Sequence, residues 1–136
     1  MRLWHYELIP YLPKSQLLAQ WRELNSIYVK EDKHVLINYI YEYPKSDLLG
    51  YTKLVLEEMR ARGFTIRTFD KMERYFADVK AQEVPIPFTR HHDDKYLTIC
   101  YYNLYEKFLR GQKDYSDEEF AKLEKFYHER KNRNCC

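Results

Sequence analysis

The most useful chemistry in this chain sits in one dipeptide, Arg22-Glu23. A guanidinium fork matches the oxygens of a phosphate, and a carboxylate can move protons or stabilise developing positive charge. The pair lies in a run where Leu17, Trp21, Leu24 and Tyr28 recur at helical spacing, which predicts a helix over about 15–30 with Ser15 as its N-cap. Arg22 and Glu23 fall on the side away from that apolar stripe. Ala19 and Ser26 flank them with small side chains and leave room for a ligand. Taken alone, such a pair is ordinary solvated helix surface, because structural charges far outnumber catalytic ones. A second candidate is the run His91-His92-Asp93-Asp94. Consecutive side chains diverge, so the run as a whole does not bind one ion. Together with the distant His34, its His-Asp dipeptide leaves a metal-dependent phosphohydrolase as an alternative whose remaining ligands are not evident.

The elements that must position these groups read as helices, with three glycines in the whole chain. The segment from His34 to Tyr43 is rich in β-branched and aromatic residues and reads as a short buried helix ended by Tyr43-Pro44. Ser46 is the expected cap of a helix with Leu48, Tyr51, Val55 and Met59 inward and Gly63 at its C-terminus. A shorter helix is expected over 70–81, then an extended VPIPF stretch around Pro85 and Pro87. Asp93 or Asp94 starts the next helix, with Leu97, Cys100, Tyr101, Leu104 and Phe108 inward and Gly111 at its end. Ser116 and Glu119 form a capping box for the last, whose inner face is Phe120, Leu123 and Tyr127. The expectation is one all-α domain of four to six helices over residues 1–136.

Composition permits this and excludes other classes. Apolar residues make up 45% and charged residues 32% of the 136, and no apolar run approaches the ~18 residues of a membrane span. The opening MRLWHYELIPYLP is too interrupted for a signal peptide. Cys100 reads as a core residue. The adjacent Cys135 and Cys136 are poorly placed to bridge each other, and no CxxC pair suggests zinc. An odd cysteine count without a leader implies a reducing cytoplasm. Net charge is only +2, but cations cluster at Arg60, Arg62 and Arg67, at Arg90 to Lys95, and in the ERKNRN tail, a distribution that permits a nucleic-acid face and equally reads as solvated helix surface. The fourteen tyrosines have two readings, as stacking surfaces for bases or as substitutes for phenylalanine at half-buried positions.

The run QLLAQWREL at 16–24 resembles the first-helix motif of the pyrimidine-dimer DNA glycosylases, at the same offset from the chain start. The resemblance continues through MRLW, KHV at 33–35, EEMRARGFTI at 57–66 and HDDKYL at 92–97. It implies a repair enzyme with abasic-site lyase activity that needs no metal or cofactor. The implied nucleophile is the chain's α-amine, here that of Met1. An α-amine titrates at ~7.7–8, against ~10.4 for a lysine, so a useful fraction is neutral at physiological pH. Glu23 matches the catalytic carboxylate and Arg22 the phosphate-holding residue. The implied partner is double-stranded DNA carrying UV photoproducts or abasic sites, bound by a monomer through Arg2, Arg22, Ser26, Lys33, His34 and His92. His34 also has a purely structural reading, as has half-buried packing for Tyr102 and Tyr105.

The chain departs from the phage branch of the family in three places. Arg2 is large where that branch has a small residue, so the initiator Met1 is expected to remain. Ser26 replaces a second arginine, and the C-terminal aromatic cluster is not recognisable. A broader abasic-site lyase, or a non-catalytic DNA-binding module of the same fold, is therefore kept as an alternative.

Overall fold

The computed structural model describes residues 2–80 and 84–133; Met1, the end of the segment expected to be helical over 70–81, and Cys135 and Cys136 lie outside the described residues. The described residues form five α-helices, α1 (Lys14–Val29), α2 (Lys45–Ala61), α3 (Asp70–Tyr75), α4 (Asp94–Leu109) and α5 (Asp117–Arg133), and no strand. Two 3-10 helices, Tyr6–Tyr11 and Asn38–Glu42, precede α1 and α2. The all-α expectation holds. No helix is long and apolar enough to cross a membrane.

The least regular part of the chain is also among the most buried. Leu3, Trp4, His5, Leu8, Ile9 and Leu12 are all almost fully enclosed, and the short Tyr6–Tyr11 helix packs on α2, α4 and α5. Buried backbone outside regular structure must find partners for its carbonyls. Here side chains supply them. Gln20 donates to the Arg2 carbonyl, Tyr96 to that of Leu3, Arg62 to that of Pro10 and Tyr115 to that of Tyr11. Arg130 of α5 adds an ion pair to Glu7 at 3.1 Å.

Helix ends show where local rules held. Gly63 (φ +80) and Gly111 (φ +83) both close Schellman motifs: Phe64 N–H returns to the Met59 carbonyl, and Gln112 N–H to that of Lys107. Ser116 Oγ accepts from Glu119 N–H as expected. Ser15, however, is not the cap of α1. The extended Pro13 starts the helix, and Ser15 N–H donates to Asp114, 99 residues away, at 2.5 Å. Likewise Pro44, not Ser46, precedes α2. The 34–43 segment is a turn and a 3-10 helix, with only Ile37 and Ile40 buried. The helix expected over 70–81 ends at Tyr75. The VPIPF stretch bends rather than extends, and Phe88 adopts a positive φ of 56°. Gly50 of α2 permits this segment to approach, since a Cβ there would meet the Val84 carbonyl oxygen at 2.8 Å.

Several tyrosines are core residues. Tyr101 and Tyr127 stack at 3.9 Å across α4 and α5, beside Phe108 stacked on Phe120 at 4.2 Å. The buried hydroxyls are bonded: Tyr28 to Thr52, and Tyr127 to Thr98. Tyr102 is 55% exposed, and Tyr105 packs edge-on to Phe120.

Two buried histidines stitch the N-terminal segment to the turn before α4. His5 Nδ1 accepts from Glu7 N–H, so its Nε2–H donates to the His92 carbonyl at 3.0 Å. His92 Nδ1 accepts from Tyr6 N–H, so its Nε2–H donates to the Tyr39 hydroxyl at 2.6 Å. Neither ring has a free nitrogen for a second proton. Burial lowers His5 below its ordinary range and drives His92 down to about 2. The unfolded chain takes up these protons near pH ~6.5 and the native fold does not. Their stabilisation is therefore complete above about pH 6.5 and is lost as pH falls toward the folded values. Urea unfolding should show stability falling between pH 7 and 5.5, by about 1 kcal/mol from His92, with His5 acting in the same direction. His92→Gln should be weaker at neutral pH but show a shallower fall; identical slopes would refute the assignment.

Candidate nucleic-acid interface

The site begins with Gln20, which occupies the inward position of α1 and is 1% exposed, while Trp21 is only half-buried. Gln20 Oε1 accepts from Trp4 N–H at 2.9 Å and lies 2.8 Å from the Tyr51 hydroxyl. That hydroxyl shares its proton with the Trp4 carbonyl at 2.7 Å. Gln20 Nε2 donates to the Arg2 carbonyl at 3.1 Å and to Glu23 Oε2 at 3.0 Å. Every hydrogen-bonding capacity of the amide is used, and the orientation is fixed, since a flipped amide would face Trp4 N–H with a donor. One side chain thus joins the second residue of the chain to the carboxylate of Glu23.

Glu23 is half-buried. Burial raises its carboxyl above the usual carboxylate range, against the opposite pull of the amino-terminal charge, the Arg2 backbone amide and Arg22. Such a group can hold a negative charge beside a cation and still exchange a proton readily.

Next to it around the helix, Arg22 and Ser26 sit one turn apart and line a groove of about 1140 Å³ between α1 and residues 65–71. Lys30, Arg67 and Lys71 add positive charge to its walls, with Asp32 as the acidic lining residue. Trp21, edge-on to Phe69 at 6.2 Å, supplies an aromatic floor. A groove with four cations to one carboxylate suits a polyanion. Ser26 is already engaged, donating to Asp32 at 2.6 Å.

Lys33 and His34 are exposed on the loop after α1, Lys33 with its ammonium 4.1 Å from the Tyr41 ring centre. Arg2 is half-buried, its guanidinium 5.7 Å from the Tyr96 ring centre. His92 lies inside the protein at 4% exposure with both nitrogens occupied, so it presents nothing to a ligand. The His91 to Asp94 run disperses: His91 bonds the Tyr43 hydroxyl, Asp93 caps α4 and Asp94 pairs with Arg130. Among the described residues no three His, Cys, Asp or Glu side chains gather as metal ligands. Of the sequence-level arginine clusters, Arg62 is committed to Glu58 and Arg67 lines the groove. Sequence reasoning missed Gln20, Tyr51 and Lys71. The spacing Leu17, Gln20, Leu24, Ile27 fits an inward face as well as the stripe through Trp21 does, and that was the available clue to Gln20.

The sequence model of the pyrimidine dimer DNA glycosylases matches residues 1–72. The chain belongs to this family. The matched segment holds the Gln20 contacts, Arg22, Glu23 and the groove; α4 and α5 lie beyond it. Searches of curated proteins and of solved structures gave no match. The family's substrate is DNA, which accords with the sign of the groove.

Removing Gln20's partners should be measurable directly. Tyr51→Phe should cost about 1 kcal/mol, whereas Gln20→Leu strands the Trp4 N–H and the Arg2 carbonyl and should cost about 1–3 kcal/mol for each. In Gln20→Leu the Trp4 amide should lose hydrogen-exchange protection before global unfolding. A Trp4 amide protected as in wild type would show that something else holds the segment.

Proposed function

We propose that this glycosylase excises UV-induced pyrimidine dimers from duplex DNA and then cuts the strand, with the α-amine of Met1 as nucleophile. The amine's lone pair forms a bond to C1′ of the damaged nucleotide. The glycosidic bond breaks, and its electron pair leaves with the base, which takes up a proton. Opening of the C1′–O4′ bond, with a proton to O4′, gives a protonated Schiff base. Glu23 removes a C2′ proton; those electrons form the C2′–C3′ double bond and the C3′–O bond breaks, releasing the phosphate end. Water hydrolyses the imine and frees the amine. The iminium is the electron sink, so no metal or cofactor is required.

The observation that carries this reading is the Gln20 amide, which holds the Arg2 carbonyl and the Glu23 carboxylate together. Arg2 adjoins the chain's amino group, so the reactive amine belongs beside the carboxylate that serves it. Burial of Glu23 supports a proton-transfer role, because it brings the carboxyl nearer the working pH. Arg22 is exposed in the groove, where its fork can grip a phosphate next to the lesion. Lys33 extends the cationic track along the loop after α1, where His34 is also exposed, and Ser26 lines the groove with its hydroxyl bonded to Asp32.

With an abasic duplex and borohydride, in the presence of a chelator, the wild-type protein should form a covalent adduct that maps to Met1 by mass spectrometry. Glu23→Gln should bind that duplex but cleave about 10²–10⁴-fold more slowly. An N-terminal extension should abolish trapping by displacing the amine. An adduct on a lysine such as Lys33 would refute the nucleophile, and no adduct on a verified abasic duplex would favour a non-catalytic DNA-binding role. Arg22→Ala should weaken binding and reduce the slope of log K against log salt by about 1.

A further inference from the structure

We propose that Val35 and Leu36 form an apolar wedge that enters the stacked bases of the bound duplex; this rests on the DNA-repair reading above. Single exposed aliphatic residues are common. Here two are adjacent at the tip of the loop after α1, and Val35 is 82% exposed, with Leu36 at 38%.

The tip is built rather than loose. His34 Nδ1 accepts from Leu36 N–H at 3.1 Å, and Asn38 Oδ1 accepts from His34 N–H at 2.8 Å. The His34 carbonyl accepts from the N–H groups of both Ile37 and Asn38, at 2.9 Å each. Ile37, fully buried, roots the turn in the core. Tyr41 fixes the other arm by donating to the Asp32 carbonyl at 2.6 Å. A β-branched valine on such a turn has little rotamer freedom left to lose on binding. His34 is therefore a positioning residue for the tip, whatever else it touches.

The surroundings identify the occupant. Lys30 and Asp32, which precede the tip on the same loop, line the groove together with Arg22, Arg67 and Lys71, and Lys33 beside the tip is exposed. An apolar point on a loop that continues a cation-rich groove matches a ligand that is anionic outside and apolar within, which is the build of stacked bases behind phosphates. Glu23 stands on α1, and the loop that carries Val35 and Leu36 begins where that helix ends at Val29. A side chain inserted from this loop stabilises the unstacked duplex from which a damaged nucleotide must be extruded.

The test uses a duplex with a reduced abasic analogue and 2-aminopurine placed in turn at one to five steps from it. Wild-type protein should raise the fluorescence at one of these positions, and Val35→Ser should remove that rise. On an abasic duplex Val35→Ser should also slow single-turnover cleavage about tenfold, equivalent to ~1.4 kcal/mol. The loss should shrink to less than about twofold when mismatches already unstack the flanking bases. Val35→Ile should restore wild-type behaviour, while Tm and the salt slope should stay unchanged in all variants. Wild-type fluorescence and cleavage in the Val35→Ser/Leu36→Ser double variant would overturn the wedge and leave the DNA reading intact. An equal loss on both substrates with a changed salt slope would also overturn it, making the loop a backbone contact. A wild-type protein that neither binds nor cuts lesion DNA would instead remove the reading on which the wedge depends.

Discussion

The structure depends on holding down a stretch of chain that has little regular structure of its own. Residues 2–12 are largely buried or half-buried without a long helix, so their carbonyls need donors from elsewhere. Side chains of α1, α2, α4 and the loop before α5 provide them, at Gln20, Tyr51, Arg62, Tyr96 and Tyr115. The Gln20 amide is the central member of the set. It is satisfied at both ends, and it touches both the backbone near the chain start and the carboxylate of Glu23. In the proposed reaction, a loosely held N-terminal segment would lose more entropy in reaching the reactive geometry.

This constraint gives the second half of the chain a role, although the family match stops at residue 72. α4 and α5 are zipped by aromatic stacking, and from that platform Tyr96 reaches Leu3 and Arg130 reaches Glu7. The turn before α4 joins in through His92, whose ring anchors Tyr6. On the proposed mechanism the N-terminal half carries the reactive groups, while the C-terminal half helps to hold the N-terminal backbone in place. The groove beside α1 is open, with Arg22, Lys30, Arg67 and Lys71 against Asp32 on its walls.

What was legible in the sequence was what depends on local rules. The periods of α2, α4 and α5 and the glycine stops at Gly63 and Gly111 came out as expected, because propensity and capping act within a few residues. The start of α1 did not, because its cap comes from Asp114, far along the chain. His92 looked like surface because it stands in a polar run. The positive φ at Phe88, whose carbonyl accepts from the N–H groups of His91 and His92, accompanies a turn that carries the ring inside. Gln20 escapes for a related reason: its spacing with Leu17, Leu24 and Ile27 fits an inward face, but a buried glutamine is not expected until its four partners are known. The abundance of tyrosine likewise had two readings. The fold assigns several to the core, and the hydroxyls of Tyr28, Tyr51, Tyr115 and Tyr127 find partners that a phenylalanine would not need.

The central claim is that the amino terminus and Glu23 form one electrostatic unit. It is tested most directly by titrating the Met1 α-amine by NMR in protein labelled with 13C-methionine, with and without Glu23→Gln. A nearby carboxylate favours the charged amine, so loss of that charge should lower the amine's pKa by a resolvable amount, and high salt should reduce the difference only partly, because Glu23 is half-buried. Superimposable titration curves for the two proteins would mean that the amine and the carboxylate are not neighbours, and the account of the site would fail.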